Sequence, residues 1–255
     1  MMGPNKLLAT ISAVGLALTV SAPSEAVPVT VTWFTCSSGG TCGTPSPRSG
    51  GGDNPFTFTA TGGQQLVTEA FEVASPVSSS PLNSIFTGGL GAGGEANPEH
   101  AVDNTNQTGN ELIVFMFPED GYVPLSFRLG YVNNDSDTQT WIGGTLGGPD
   151  DVLALFAPLN YEWGSNGGGV DANSLVSRGY VQQDFSGNGS PGTYNFSQEA
   201  SGRYLIISAF TGGSDEDDKF KIQSIVAQTP DRVPEPGIVI LLGAGLTALA
   251  LRRRR

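Results

Sequence analysis

The chain has 255 residues, 36 of them glycine, and only 14% of its side chains are charged. Glycine costs about 1 kcal/mol per helical position relative to alanine, which argues against a helical bundle; a hydrophobic content of 38% with 13 phenylalanines argues equally against a disordered chain. A formal net charge of -12 removes the electrostatic basis for binding nucleic acid, and one histidine and two cysteines leave little for zinc, haem or triad chemistry.

Residues 1–26 read as a secretory signal peptide with a helical apolar segment. Lys6 supplies the positive charge, Leu7 to Val20 the apolar run, and Ser24-Glu25-Ala26 the small residues that signal peptidase requires. The body then starts at Val27, with Ala22 as a second cut. As a helix the run rises about 21 Å against a hydrocarbon core of about 30 Å, so an uncleaved anchor is the weaker reading. Cys36 and Cys42 enclose Ser37-Ser38-Gly39-Gly40-Thr41, and in an oxidising compartment they are expected to close a short disulfide loop of about 2 kcal/mol.

Thr30–Phe34, Phe56–Thr59 and Leu66–Val73 are predicted strands. Gly89 to Gly94 spells G-x-G-x-x-G, but Glu95-Ala96-Asn97-Pro98 follows it. No helix opens there to hold a pyrophosphate, so the segment reads as a flexible loop. His100, beside Glu99, Asp103 and Asn104, reads as a structural hydrogen-bonding residue ahead of an acid–base one or a cation ligand with Asp103. Leu112–Phe117 is a solid apolar run. After the turn Pro118-Glu119-Asp120-Gly121, Val123, Leu125, Phe127, Leu129 and Tyr131 alternate with smaller or polar residues, which predicts a hairpin with one buried face.

Asn133 to Asp137 is the next loop, Gln139–Ile142 a strand, Gly147-Gly148-Pro149-Asp150 a turn and Val152–Phe156 a strand. Tyr204–Phe210 and Phe220–Val226 flank an acidic turn. The expected architecture is all-β: an antiparallel β-sandwich, jelly-roll-like, over residues 27–231, flanked by the signal helix and a C-terminal membrane helix.

Hard carboxylate oxygens suit Ca²⁺, and Asp103, Asp135, Asp137, Asp215 and Asp217 are its candidate ligands. The competing reading is a set of solvated turns whose charges discourage edge-to-edge pairing. Phe220 stands where a twelve-residue calcium loop needs glycine. No other cofactor is expected. Trp141, Tyr161, Trp163, Tyr180 and Tyr194 are candidate exposed rings for stacking on sugars, and some of them must instead fill the core. The Tyr161-Glu162-Trp163 pair, beside a glycine-rich loop, is the foremost of them.

The C-terminal segment, residues 232–255, carries Val233-Pro234-Glu235-Pro236, the uncharged run Gly237–Leu251 and the cluster Arg252, Arg253, Arg254 and Arg255. By the positive-inside rule the arginines hold this end in the cytoplasm while the body lies outside. In this order the three features resemble the PEP-CTERM sorting signal of exopolysaccharide-producing bacteria. The resemblance implies exosortase, a membrane-embedded transpeptidase-like cysteine enzyme, cutting near Pro-Glu-Pro. Within the body, Glu99-His100-Ala101-Val102-Asp103-Asn104, Gly130-Tyr131 with Asp135 and Asp137, Arg203-Tyr204-Leu205-Ile206 and Phe220-Lys221-Ile222 resemble, in this order, a group of exosortase-dependent surface proteins without established enzymatic activity.

The expected function is therefore that of a non-enzymatic, exosortase-processed cell-surface or biofilm-matrix protein associated with exopolysaccharide. Its partners are signal peptidase, exosortase, the inner membrane in transit and polysaccharide, but not nucleic acid. A calcium-assisted carbohydrate-binding module is the alternative, and a glycan-cleaving enzyme with paired carboxylates the third reading.

Overall fold

A computed structural model describes residues 28–35, 55–73, 78–80, 82–83, 88–92, 101–103, 110–145, 172–187, 189–209 and 218–230. All lie in one compact unit, Pro28–Pro230. Its strands are β1 (Thr30–Phe34), β2 (Phe56–Thr59), β3 (Gln65–Val73), β4 (Ser78–Ser80), β5 (Leu82–Asn83), β6 (Gly91–Ala92), β7 (Val102–Asp103), β8 (Asn110–Met116), β9 (Val123–Asn134), β10 (Thr138–Gly143), β11 (Val181–Phe185), β12 (Thr193–Asn195), β13 (Tyr204–Ala209) and β14 (Asp218–Gln228). A helix of less than two turns, α1 (Ala172–Ser177), precedes β11. The predicted strand Val152–Phe156 lies outside the described residues.

The strands form two main antiparallel sheets. One runs β1-β14-β9-β12, with β7 also on β14; the other runs β11-β10-β13-β8-β3-β2, with β4 also on β3. Set aside β2 to β7, and the two orders are β1-β14-β9-β12 and β11-β10-β13-β8, the connectivity of a jelly roll. Facing side chains fill the space between the sheets, among them Trp33, Phe127, Phe220 and Ile225 from the first and Phe115, Ile142, Leu205 and Ile207 from the second. Trp33 anchors one end: its Nε1 donates to the Gln64 carbonyl at 2.9 Å, and its ring lies 5.7 Å from Phe117 and 5.9 Å from Tyr122.

The solid apolar runs have a simple cause. Ile113 and Phe115 of β8, with Leu205 and Ile207 of β13, face the inter-sheet core. Leu112, Val114, Met116, Tyr204 and Ile206 face the other way, into a second cluster with Phe71, Trp141, Leu175 and Tyr180. A strand buried on both faces has no polar positions to alternate with.

Three expectations need correction. The segments around Pro118–Gly121 are not a hairpin: β8 pairs with β13 and β3, while β9 pairs with β14 and β12. The turn crosses between sheets, because periodicity identifies strands without naming their partners. Along β9 the single buried face also fails. The register against β14 shifts between Val226 and Ala227, and Phe127 and Leu129 reach the core whereas Leu125 is left half-buried outside it.

The third correction concerns the glycine-rich segment Gly89–Gly94, of which Gly89 to Ala92 is buried rather than a loose loop. Leu90 exchanges both backbone hydrogen bonds with Ile222 of β14, at 2.7 and 2.9 Å. Such an approach leaves no room for side chains. A Cβ on Gly89, whose φ is +128°, would meet the Ile222 carbonyl oxygen at 2.3 Å, and one on Gly130 would meet the Gly88 carbonyl oxygen at 2.1 Å.

Gly89→Ala is expected to cost about 2–3 kcal/mol, combining backbone strain with a clash that nothing flexible can relieve. Gly63→Ala, at φ +84° with open space around it, is expected to cost only about 1 kcal/mol of backbone strain. Urea unfolding midpoints of the two variants measure the difference.

Candidate functional site

At one end of the sandwich the chain crosses from β9 to β10 through Asp135-Ser136-Asp137, and Asp218 opens β14 alongside. Asp135 bridges to Asp218, and the Lys219 amide donates to the Asp135 carbonyl at 3.3 Å. This pairing gathers the side chains: one carboxylate oxygen from each of Asp135, Asp137 and Asp218 lies within 4.8 Å of the others. Asp218 is fully buried, and the other two are half-buried.

Each carboxylate is oriented by a backbone amide. The Asp137 N–H donates to Asp218 Oδ1 at 2.7 Å, the Ser136 N–H to Asp135 Oδ1 at 2.6 Å, and the Gly187 N–H to Asp137 Oδ1 at 2.5 Å. Gly187 is required for that approach, since a Cβ there would meet Ser136 Oγ at 1.9 Å. Ser136, between the two acids, shares a 3.0 Å hydrogen bond with the Tyr194 hydroxyl. Tyr194 in turn stacks on Phe127 with centroids 5.2 Å apart, and Phe185 and Phe196 complete a cluster of half-buried rings along the edge formed by β11 and β12. Three hard oxygen donors thus sit beside an aromatic edge.

The structure brings together Asp135 and Asp137 of the sequence-derived calcium candidates and adds Asp218. Asp103 is not among them. It sits on β7 opposite Lys219 of β14, while its neighbour Val102 opposes the core residue Phe220. Asp103 therefore points to the opposite face of the sheet from Asp218, which shares Phe220's side. The signal for Asp218 was present in the sequence: two residues before Phe220 on one strand, it must face inward too.

Asp215 and Asp217 lie outside the described residues, as do Cys36, Cys42, His100, Tyr161, Trp163, Val233, Pro234, Glu235, Pro236 and Arg252 to Arg255. Among the described residues, no helix is long and apolar enough to cross a membrane.

Two of the rings expected at the surface are internal. Trp141 is 0% exposed and Tyr180 is 4% exposed, both in the cluster on the outer face of the seven-stranded sheet. Alternation along β10 turns Trp141 to the face opposite Ile142. The hydroxyl of Tyr180 is buried and makes no hydrogen bond among the described residues. Burial raises its pKa above the ordinary phenol value near 10, the neighbouring Tyr204 raises it further, and Arg178 lowers it in part.

The folded protein therefore keeps the Tyr180 proton at a pH where the unfolded chain releases it. Stability contributed by this group is present below pH about 10 and falls as pH rises beyond it. Tyr180→Phe is expected to leave neutral-pH stability unchanged or slightly higher, because an unpartnered buried hydroxyl disappears, and to flatten the alkaline decline. Thermal unfolding from pH 7 to 11 reads both effects.

Residues 232–255 match the family described as the PEP-CTERM protein-sorting motif. No curated protein and no solved structure matches the chain. The motif supports export through a membrane-anchored precursor that exosortase processes on the way to the surface. The sandwich is thus the body of a chain that carries the PEP-CTERM sorting signal.

Proposed function

We propose that the protein is a non-catalytic component of the cell surface or extracellular matrix, associated with exopolysaccharide and freed from its C-terminal segment by exosortase after signal peptidase removes residues 1–26. The observation that carries this reading is the sorting motif over residues 232–255.

The fold supports it in one respect that the motif does not supply. The last strand, β14, ends at Gln228, and the Thr229 amide still donates to the Val29 carbonyl at 2.9 Å. A cut near Pro234-Glu235-Pro236 falls beyond every one of these bonds, so removal of the tail takes no described residue from either sheet. Much of the chain's positive charge lies in Arg252 to Arg255. Losing that cluster leaves a more acidic body, which favours solubility outside the cell.

Intact mass of the exported protein tests the reading. In an exosortase-containing host the mature form is expected to begin at Val27 and to lack Arg252–Arg255, and a deletion of 232–255 is expected to abolish surface retention. Without exosortase, a membrane-bound form that keeps the arginines should accumulate. An exported form that retains the arginine cluster in the exosortase-containing host would overturn the proposal.

A further inference from the structure

The geometry points to a Ca²⁺ site formed by Asp135, Asp137 and Asp218, with the hydroxyl of Thr138 turned into the same space. None of these residues lies in the sorting motif, so the inference stands apart from the sorting reading.

The carboxylates alone make an acidic cluster; Thr138 is the independent observation. It is 0% exposed, and its Oγ1 has no hydrogen-bond partner among the described residues. A buried hydroxyl left unmatched is costly, and such atoms in a native fold call for a reason.

Its direction follows from strand register. Thr138 opens β10 opposite Ala209 of β13, and along the same pair Thr140 opposes Ile207 and Ile142 opposes Leu205. Ala209, Ile207, Leu205 and Ile142 all belong to the inter-sheet core, so Thr138 projects between the sheets from the seven-stranded side. Asp218 shares its face of β14 with Phe220 and Ile222, both core residues, and projects between the sheets from the other side. The two meet at the same end, because the amide of Asp137, the residue before Thr138, donates to Asp218 Oδ1 at 2.7 Å. The unmatched hydroxyl is thus aimed at the space in which the carboxylates converge.

The chemistry selects the ion. All the donors are oxygens, which excludes the softer metals that take thiolate or imidazole. Two oxygens on opposite sides of one Ca²⁺ reach about 4.6–5.2 Å apart at its usual bond lengths, and the carboxylate oxygens here lie within 4.8 Å of one another. The Oδ1 atoms of the three acids are taken by backbone amides. Those bonds fix the side chains, while Oδ2 of Asp135 and of Asp137 accepts no hydrogen bond among the described residues. Such a site adds to the backbone bridge between Asp135 and Asp218 a tie from Asp137, at the entry to β10 in the seven-stranded sheet, to the start of β14 in the five-stranded one.

Calorimetric titration of the full chain, first freed of metal with EGTA, tests the site with CaCl₂ as the probe. One saturable event is expected, together with a rise in Tm that EGTA reverses. Asp137→Asn and Asp135→Asn, both half-buried, are expected to weaken affinity at least about tenfold, since ligand charge sets the strength of such sites. Thr138→Val should weaken it about threefold or more while leaving metal-free stability equal or higher. Asp184→Asn, at an exposed acid on β11 outside the cluster, should leave affinity unchanged.

Absence of saturable binding up to about 10 mM Ca²⁺, beyond the range of extracellular calcium modules, would overturn the site. So would unchanged affinity in the Asp135→Asn and Asp137→Asn double variant, or an equal loss in Asp184→Asn. Should either asparagine variant fail to fold, Thr138→Val read against the parent decides.

Discussion

The backbone of β14 is hydrogen-bonded along both edges, and the rest of the body depends on it. On one edge β9 follows it from Asp218 to Gln228 through three register shifts. On the other edge three separate pieces of chain share it in succession: β1 against Ser224–Gln228, Leu90 against Ile222, and β7 against Lys219 and Phe220. A buried amide or carbonyl without a partner costs about 1–3 kcal/mol. Those pieces, distant in sequence, are therefore held in place by the need to satisfy one strand. Because that strand is the last among the described residues, the five-stranded sheet cannot close until the chain has been made as far as Gln228.

The same requirement explains the glycines. Leu90 bonds to the β14 backbone only because Gly89 lacks a Cβ and adopts φ +128°, and Gly88 passes over Gly130 for the same reason. Thr35 adds to the same point on β14, its amide donating to the Gln223 carbonyl and its hydroxyl to the Ile222 carbonyl. A spelling that resembles a nucleotide-binding loop is thus the footprint of backbone against backbone. The dinucleotide loop uses glycine for an equally close approach, to a phosphate instead of a strand.

Jelly-roll connectivity also creates the candidate site. β9 and β10 lie in different sheets, as do β13 and β14, and the pairings Thr138 with Ala209 and Asn134 with Asp218 put the four strand ends concerned at the same end of the sandwich. Each crossing must turn, and turns favour aspartate, whose side chain bonds nearby backbone amides. The β9–β10 crossing and the start of β14 lie side by side and bring Asp135, Asp137 and Asp218 together across about eighty residues of chain, and the half-buried rings of Phe185, Tyr194 and Phe196 close the neighbouring edge.

The sequence by itself determined the class of fold, the position of most strands and the C-terminal signal. These properties are local: period-two alternation, apolar runs, turn residues and an ordered Pro-Glu-Pro, apolar and arginine segment all act over a few neighbouring positions. Only the tertiary structure decided that β8 and β9 belong to different sheets, that Trp141 and Tyr180 are internal, that Gly88–Ala92 is a buried rung, and that Asp218 rather than Asp103 completes the acidic trio. Strand partners, and the face a bulged strand turns inward, are set by backbone hydrogen bonding and packing between segments far apart along the chain. No window of sequence contains both halves of such a contact.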